Sequence, residues 1–361
     1  MAPASEPLGM GIVGLGIWAE MVTAGIEVCP QTRLLACTTR SAEKRRAFAQ
    51  RHRCEECESF ESLLAHPGVE AVAIVSASQA HYGHAMAALT AGKHVFLEKP
   101  MANTLPEARA IVERAREKRK VLQIGFETRL IAPIARMREM LRAGELGKPV
   151  QAEANFSHNL GLALTPERWH YYEANCPGGP LMQLGIHQVH NLNLLLGPPL
   201  RVRAMGKRLL IGAEVPDLTG CLIEHESGAV SYVGCYYVCP RILYLNLYAT
   251  GGNLFADVRL SQGPLPDYLR AFSEADRHAT LHFQPKDSLE RKAVPLTPGD
   301  PMAAQMAEFA RSVREGAPSE ADGERGFEAL AVVLAAVESM KTGRAVELSE
   351  FIERKGGLPP S

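Results

Sequence analysis

Residues 10–19 read Met10-Gly11-Ile12-Val13-Gly14-Leu15-Gly16-Ile17-Trp18-Ala19: an apolar run, two glycines spaced by one residue, and the start of an amphipathic stretch. The run Met10–Leu15 has the length and content of a buried strand, and Trp18 to Cys29 has helical spacing. The same alternation continues outward. Leu34–Thr38 predicts a second strand, followed by a charged helix that Ser41 caps and that runs to about His52. Val72–Ser76, His94–Leu97 and Val121–Gly125 are three further strand-length runs, separated by helical patterns over Tyr82–Ala91 and Leu105–Lys118. Strands alternating with helices of this length predict βαβ units and a parallel sheet over residues 1–125.

In that setting the glycines acquire a chemical meaning. A tight turn after the first strand needs a residue without Cβ at Gly14, and Gly16 lets the backbone approach a phosphate closely. Ala19 is small enough for the helix to pack on its strand. The amides of Ile17 and Trp18 then open a helix whose N-terminus favours negative charge. The expectation is a Rossmann domain binding a dinucleotide. The end of the second strand chooses between two such cofactors. An acidic residue there would bind the ribose 2′-hydroxyl of NAD, but the chain reads Thr38-Thr39-Arg40-Ser41-Ala42-Glu43-Lys44. Arg40 can pair with a 2′-phosphate, Thr39 and Ser41 can donate hydroxyls, and Lys44 lies one helical turn on. NADP is therefore the preferred expectation and NAD the alternative.

After about Gly125 the rhythm changes. Val150–Phe156, Val230–Tyr237 and Leu243–Ala249 alternate as half-buried antiparallel strands, with helical patterns at Gln183–Leu196, Ala303–Glu315 and Gly326–Thr342. The second domain, 126–361, is predicted to be α+β with a large, mostly antiparallel open sheet. A net charge of −1 carries no footprint for nucleic acid or an anionic membrane. No apolar run approaches the ~18–20 residues that span a bilayer, and the first seven residues do not read as a secretory signal, so the expected location is the cytoplasm. The eight cysteines read as reduced thiols. Cys54 and Cys57, with His52 and His66 near in sequence, lack the second ligand pair of a structural zinc site, and no metal is expected.

His94-Val95-Phe96-Leu97-Glu98-Lys99-Pro100 places a charged pair directly after a strand, at the end of an open α/β sheet where ligands bind. An ammonium beside a nicotinamide suits proton exchange with a hydroxyl or carbonyl. Alone, such a triplet is often a turn. Together with the glycine loop some eighty residues earlier, it resembles the glucose–fructose oxidoreductase/inositol dehydrogenase (Gfo/Idh/MocA) family. Ser76-Ala77-Ser78-Gln79-Ala80-His81 stands where that family has Thr-Pro-Asn-x-x-His. The likeness continues through Gly125-Phe126 with Arg129, Gly144 to Pro149, and the stretch from Gly178-Gly179 to Gly197.

The resemblance implies a hydride transferase that forms homodimers or homotetramers through its second sheet. It implies that Ser76, His81 and Glu98 line the cofactor, that Lys99 touches both nicotinamide and substrate, and that His187 is the catalytic histidine. Two positions depart from the family pattern: Gln183 and His190 stand where aspartates are usual. Gln183, His187 and Asn191 recur at helical spacing and are expected to share one face. Arg129, His158, Trp169, Gln183 and Tyr236 complete the expected substrate pocket. The expected reaction interconverts a secondary alcohol and a ketone on a small polyhydroxylated substrate such as a sugar or inositol, with Lys99 and His187 moving the proton. A non-sugar cyclic diol is the alternative substrate. A cofactor-binding regulator without chemistry is the alternative function, against which the retained Lys99 and His187 argue.

Overall fold

The structure, a computed structural model, describes residues 6–261 and 275–356. The described residues divide into two compact units, 6–126 with 300–327, and 127–261 and 275–299 with 328–356.

The first unit is built on β1 (Leu8–Val13), α1 (Ile17–Val28), β2 (Thr32–Thr38), α2 (Ala42–His52), β3 (Glu55–Glu56), α3 (Phe60–Ala65), β4 (Ala71–Ile74), α4 (His81–Thr90), β5 (His94–Leu97), α5 (Leu105–Glu117) and β6 (Leu122–Ile124). Its six strands are all parallel, in the order β3-β2-β1-β4-β5-β6. Every residue of β1 and β4 is buried, as expected of parallel strands covered on both faces. The order reverses between β1 and β4. The crevice beyond their C-terminal ends is therefore where such a sheet takes its ligand. The short elements β3 and α3 carry no periodic signal of their own; α3 is set by Ser59 and Ser62, which cap each other's backbone.

The second unit contains α6 (Ala132–Arg142), β7 (Pro149–Ser157), α7 (Ile186–Leu196), β8 (Pro199–Lys207), β9 (Leu218–His225), β10 (Val230–Tyr236), β11 (Ile242–Ala249), β12 (Gly252–Val258), β13 (Ala279–Pro285) and β14 (Lys292–Ala293). It is followed along the chain by α8 (Pro301–Glu315), α9 (Gly323–Thr342), β15 (Val346–Glu347) and α10 (Leu348–Lys355). A nine-stranded sheet runs β14-β13-β12-β11-β7-β10-β9-β8-β15, antiparallel throughout except where β7 and β10 pair in parallel. Three of its strands are legible as alternating runs. The burial pattern of β11 shows that alternation in space.

One expected boundary needs correction. Residues 300–327 fall in the first unit, whereas the reading by chain order assigns them to the second domain. The cause is the apolar stripe of α8: Met302, Met306, Phe309 and Ala310 are buried, α8 packs on α1, and the Phe309 ring meets Phe96 of β5 edge-on at 6.0 Å. The chain therefore leaves the first unit at Phe126 and returns to it at Asp300. No helix among the described residues is long and apolar enough to cross a membrane.

Candidate functional site

In the first unit, Gly14 leaves β1 with φ +92°. A β-carbon there would lie 2.5 Å from Cα of Ser76 and 2.7 Å from the carbonyl carbon of Val75, so the loops after β1 and β4 can touch only at glycine. Gly16 caps α1 in an extended conformation and makes no side-chain cap hydrogen bond. A β-carbon at Gly16 would meet nothing within 4 Å. A helix N-terminus without a side-chain cap, the positive end of its dipole and open space above Gly16 fit the pyrophosphate of a dinucleotide.

Beyond β2 the Ser41 hydroxyl accepts from the Lys44 amide at 3.3 Å, and Arg45 donates to the Thr39 carbonyl at 2.9 Å. Those contacts fix the backbone of the turn. Arg40 and Lys44 project into solvent, and Arg40 makes no ion pair among the described residues. Nothing acidic occupies the turn itself, residues 38–42.

Glu98 and Lys99 follow β5. Glu98 is 4% exposed, and a β-carbon on Gly125 would lie 2.5 Å from its Oε1, so a glycine at the end of β6 makes room for the carboxyl. Burial pushes that carboxyl up to about 6, against the opposing pull of the Lys99 charge and the Trp18 indole. The Lys99 amide donates to Oε2 at 3.3 Å, and its Nζ stands 6.0 Å from the centre of the Trp18 ring, in the first turn of α1. An ammonium is thus held at the edge of the phosphate cradle. His81 braces it from behind. Buried at 1% exposure, its Nδ1 lies 2.7 Å from the Pro100 carbonyl and its Nε2 2.8 Å from that of Ser76. Burial drives the imidazole down to about 4, so at neutral pH it is uncharged and carries a single N–H between those two carbonyls.

In the second unit, α7 carries the histidine. Ahead of it the chain makes a wide π turn over Leu181–Gly185, a feature common at functional sites. Within that turn Gln183 alone is partly exposed. His187 is 2% exposed, and its Nε2 lies 3.7 Å from Oε1 of Glu127, itself 1% exposed. Asn191, one helical turn on, donates to the Thr128 hydroxyl at 3.2 Å. His187 and Asn191 therefore address the same short turn, Glu127–Leu130. Phe156 of β7 lies 6.0 Å from the His187 ring, and His158 stacks on Tyr237 at 5.2 Å with the rings nearly parallel.

Comparison with known proteins identifies the family. Residues 8–126 match the model of an oxidoreductase family with an NAD-binding Rossmann fold, GFO_IDH_MocA, and residues 134–255 match the GFO/IDH/MocA C-terminal domain. A crystal structure of an oxidoreductase from Desulfitobacterium hafniense, described as NADPH-dependent, superposes with a TM-score of 0.90 at 32% identity, covering 96% of this chain and 99% of that one. The chain belongs to the Gfo/Idh/MocA oxidoreductase family. Two relatives of known activity show its range. A 1,5-anhydro-D-fructose reductase of Ensifer adhaerens is 25% identical over 94% of this chain and 98% of its own length. A trans-1,2-dihydrobenzene-1,2-diol dehydrogenase of Macaca fascicularis is 30% identical over 60% of this chain and 65% of its own.

The other expected site residues have varied surroundings. Tyr236 is not on the helix side of the sheet. On β10 the buried Ser231, Val233 and Cys235 alternate with Tyr232, Gly234 and Tyr236, and Cys235 is the side chain that a β-carbon on Gly185 of the π turn would meet at 2.8 Å. Tyr236 consequently shares the opposite face with Tyr232, and the tyrosine that turns toward His158 is Tyr237. Arg129, expected at the substrate, is an interior group 1% exposed whose carbonyl accepts from Arg138 at 2.9 Å. Trp169 lies half-exposed on a 3-10 turn over Trp169–Tyr171, with its ring edge-on to His170 at 5.2 Å. His52 faces Glu20 and Glu27, and His66 faces Glu55, so neither histidine turns to the Cys54 and Cys57 pair. Glu127 is the residue that the motif reading misses. It lies between Phe126 and Arg129 of a stretch that carries the family likeness, but no sequence signal links it to a histidine sixty positions away.

Proposed function

We propose that this oxidoreductase prefers NADP and interconverts a secondary alcohol and a ketone on a small polyhydroxylated molecule, a sugar, an inositol or a derivative. The observation that supports it best is the Lys99 ammonium poised over Trp18 at the margin of an uncapped, open glycine cradle. The backbone at Gly14 and Gly16 would hold the pyrophosphate, and Arg40 and Lys44 the 2′-phosphate. A nicotinamide bound there supplies the hydride chemistry that no side chain can provide. Lys99 and His187 are assigned the proton: one of them takes it from the hydroxyl during oxidation and returns it during reduction. Gln183, partly exposed in its π turn, can bond a substrate hydroxyl but cannot ionise, so the proton falls to the other two groups. His158 and Trp169 are assigned to the substrate wall.

The test is a spectrophotometric screen with NADPH and NADH against aldoses, inositols, 1,5-anhydro-D-fructose and cyclic dihydrodiols. Turnover on the sugar-like arm is expected. Turnover confined to the diols would select the second reading, which the 30% identity to a dihydrobenzenediol dehydrogenase favours. No turnover on any arm, with the nucleotide still bound, would favour a regulator. Replacing Arg40 with alanine is expected to weaken NADPH about tenfold while leaving NADH within about twofold, since one charge-assisted contact contributes roughly 1.5 kcal/mol. Calorimetric titration checks this. Equal losses for both nucleotides would remove Arg40 from the 2′-phosphate site.

A further inference from the structure

The family's usual aspartate one helical turn before the histidine is glutamine here, Gln183, yet the imidazole does not lack a carboxylate. Glu127 begins the turn directly after Phe126, and its Oε1 lies 3.7 Å from Nε2 of His187. Both side chains are almost wholly removed from water, at 1% and 2% exposure. Two ionisable groups buried at this separation act on each other strongly, because little solvent intervenes to screen them. The approach is also fixed on either side. Asn191 bonds the Thr128 hydroxyl, the residue after Glu127, and the Phe156 ring backs the imidazole.

We propose that Glu127 is the positioning residue of His187: its carboxylate faces Nε2, fixes the ring orientation and tautomer, and leaves proton exchange with the substrate to Nδ1. The inference rests on the proton-transfer role given to His187 above. In alcohol oxidation Nδ1 takes the hydroxyl proton while Nε2 keeps its own. The ring becomes imidazolium, and the carboxylate stays ionised beside it, so the charge that forms is balanced where it forms. Glu127 thereby offsets the loss of acidity at position 183. The elements packed against α7 carry few other buried charges. Glu127 and Arg129 lie on the preceding turn, Arg138 on α6, Cys235 on β10 and His190 on α7 itself, while the π turn offers only Gln183. Glu153 of β7 is engaged by Asn246 and Tyr248 of β11. Among these Glu127 is the one buried acid. Arg129 and Arg138 would both oppose protonation of the ring.

The experiment is a histidine-¹⁵N NMR titration of the full chain without substrate, with the His187 resonances identified by their loss in His187→Asn. The expected result is an Nε2–H tautomer in the parent, and in Glu127→Gln a titration midpoint at least one pH unit lower, a tenfold fall in imidazolium at fixed pH. An unchanged tautomer and midpoint in Glu127→Gln would overturn the proposal. Should that variant fail to fold, Glu127→Asp decides instead. Withdrawing the carboxylate by one methylene should give a smaller fall, and no fall would count against the proposal. No turnover is measured, so a failed redox assignment leaves this result readable. Conversely, an unmoved His187 in an enzyme that still needs Lys99 and His187 would sink Glu127 alone.

Discussion

Replacing Lys99 with alanine is expected to lower kcat by about a thousandfold or more, while the dissociation constant for NADPH changes less than about threefold. A positioned general acid or base typically contributes a factor of about 10²–10⁴, and Lys99 is also assigned to orient the substrate, which places the loss toward the upper end. Binding should survive because the cradle is made of backbone: the Gly14 turn and the uncapped first turn of α1 contain no atom of Lys99. The fold should survive as well. Truncation leaves the buried Glu98 without the charge that pulls its titration down, and burial already holds that carboxyl up at about 6. Without Lys99 it rises further and stands protonated near neutral pH, so no isolated buried charge remains. Steady-state kinetics on the substrate found by the screen, with calorimetric titration of NADPH, measure both quantities. Turnover within a factor of ten of the parent would end the assignment of Lys99, and the proposed mechanism with it.

What the sequence reveals and what it hides follow from the range of the interactions involved. β1, the glycine turn and α1 are legible because a parallel strand buried on both faces must read as an unbroken apolar run, and because φ +92° at Gly14 has a residue signature of its own. Lys99 is legible because strand ends in an open α/β sheet face the ligand crevice. Tyr236 shows where such reading stops. Alternation tells which residues of β10 share a face, but not which face turns to the helices, and a shift of one residue exchanges Tyr236 for Tyr237. The same holds for α8. Its apolar stripe is plain in the sequence, but the surface that receives it, α1 and Phe96, lies more than two hundred residues earlier. Glu127 is the extreme case. A single acid on a turn looks solvated until the fold brings His187 against it.

The two glycines of the loop should fail in different ways. Gly14→Ala is expected to lose both stability and nucleotide binding, and Gly16→Ala to lose binding alone. At Gly14 an L-residue must hold φ +92° with its β-carbon pressed against the Ser76 and Val75 backbone, which cannot give way as a side-chain tip could. Strain of about 1–3 kcal/mol is typical of such positions, and relieving it by parting the loops after β1 and β4 would also turn the first-turn amides of α1 off the phosphate. At Gly16 the backbone is extended and the added methyl meets no protein atom within 4 Å, so the folded chain has no reason to resist it. The methyl would instead fill the space from which the pyrophosphate must be approached, removing charge-assisted contacts worth roughly 1.5–3 kcal/mol each. Affinity for NADPH should fall by about a hundredfold in Gly16→Ala with Tm unchanged. In Gly14→Ala it should fall at least as far, with Tm several degrees lower. Thermal unfolding and calorimetric titration of both variants separate these outcomes. If Gly16→Ala binds NADPH as the parent does, the nucleotide does not sit over this turn, and the redox reading fails at its first step.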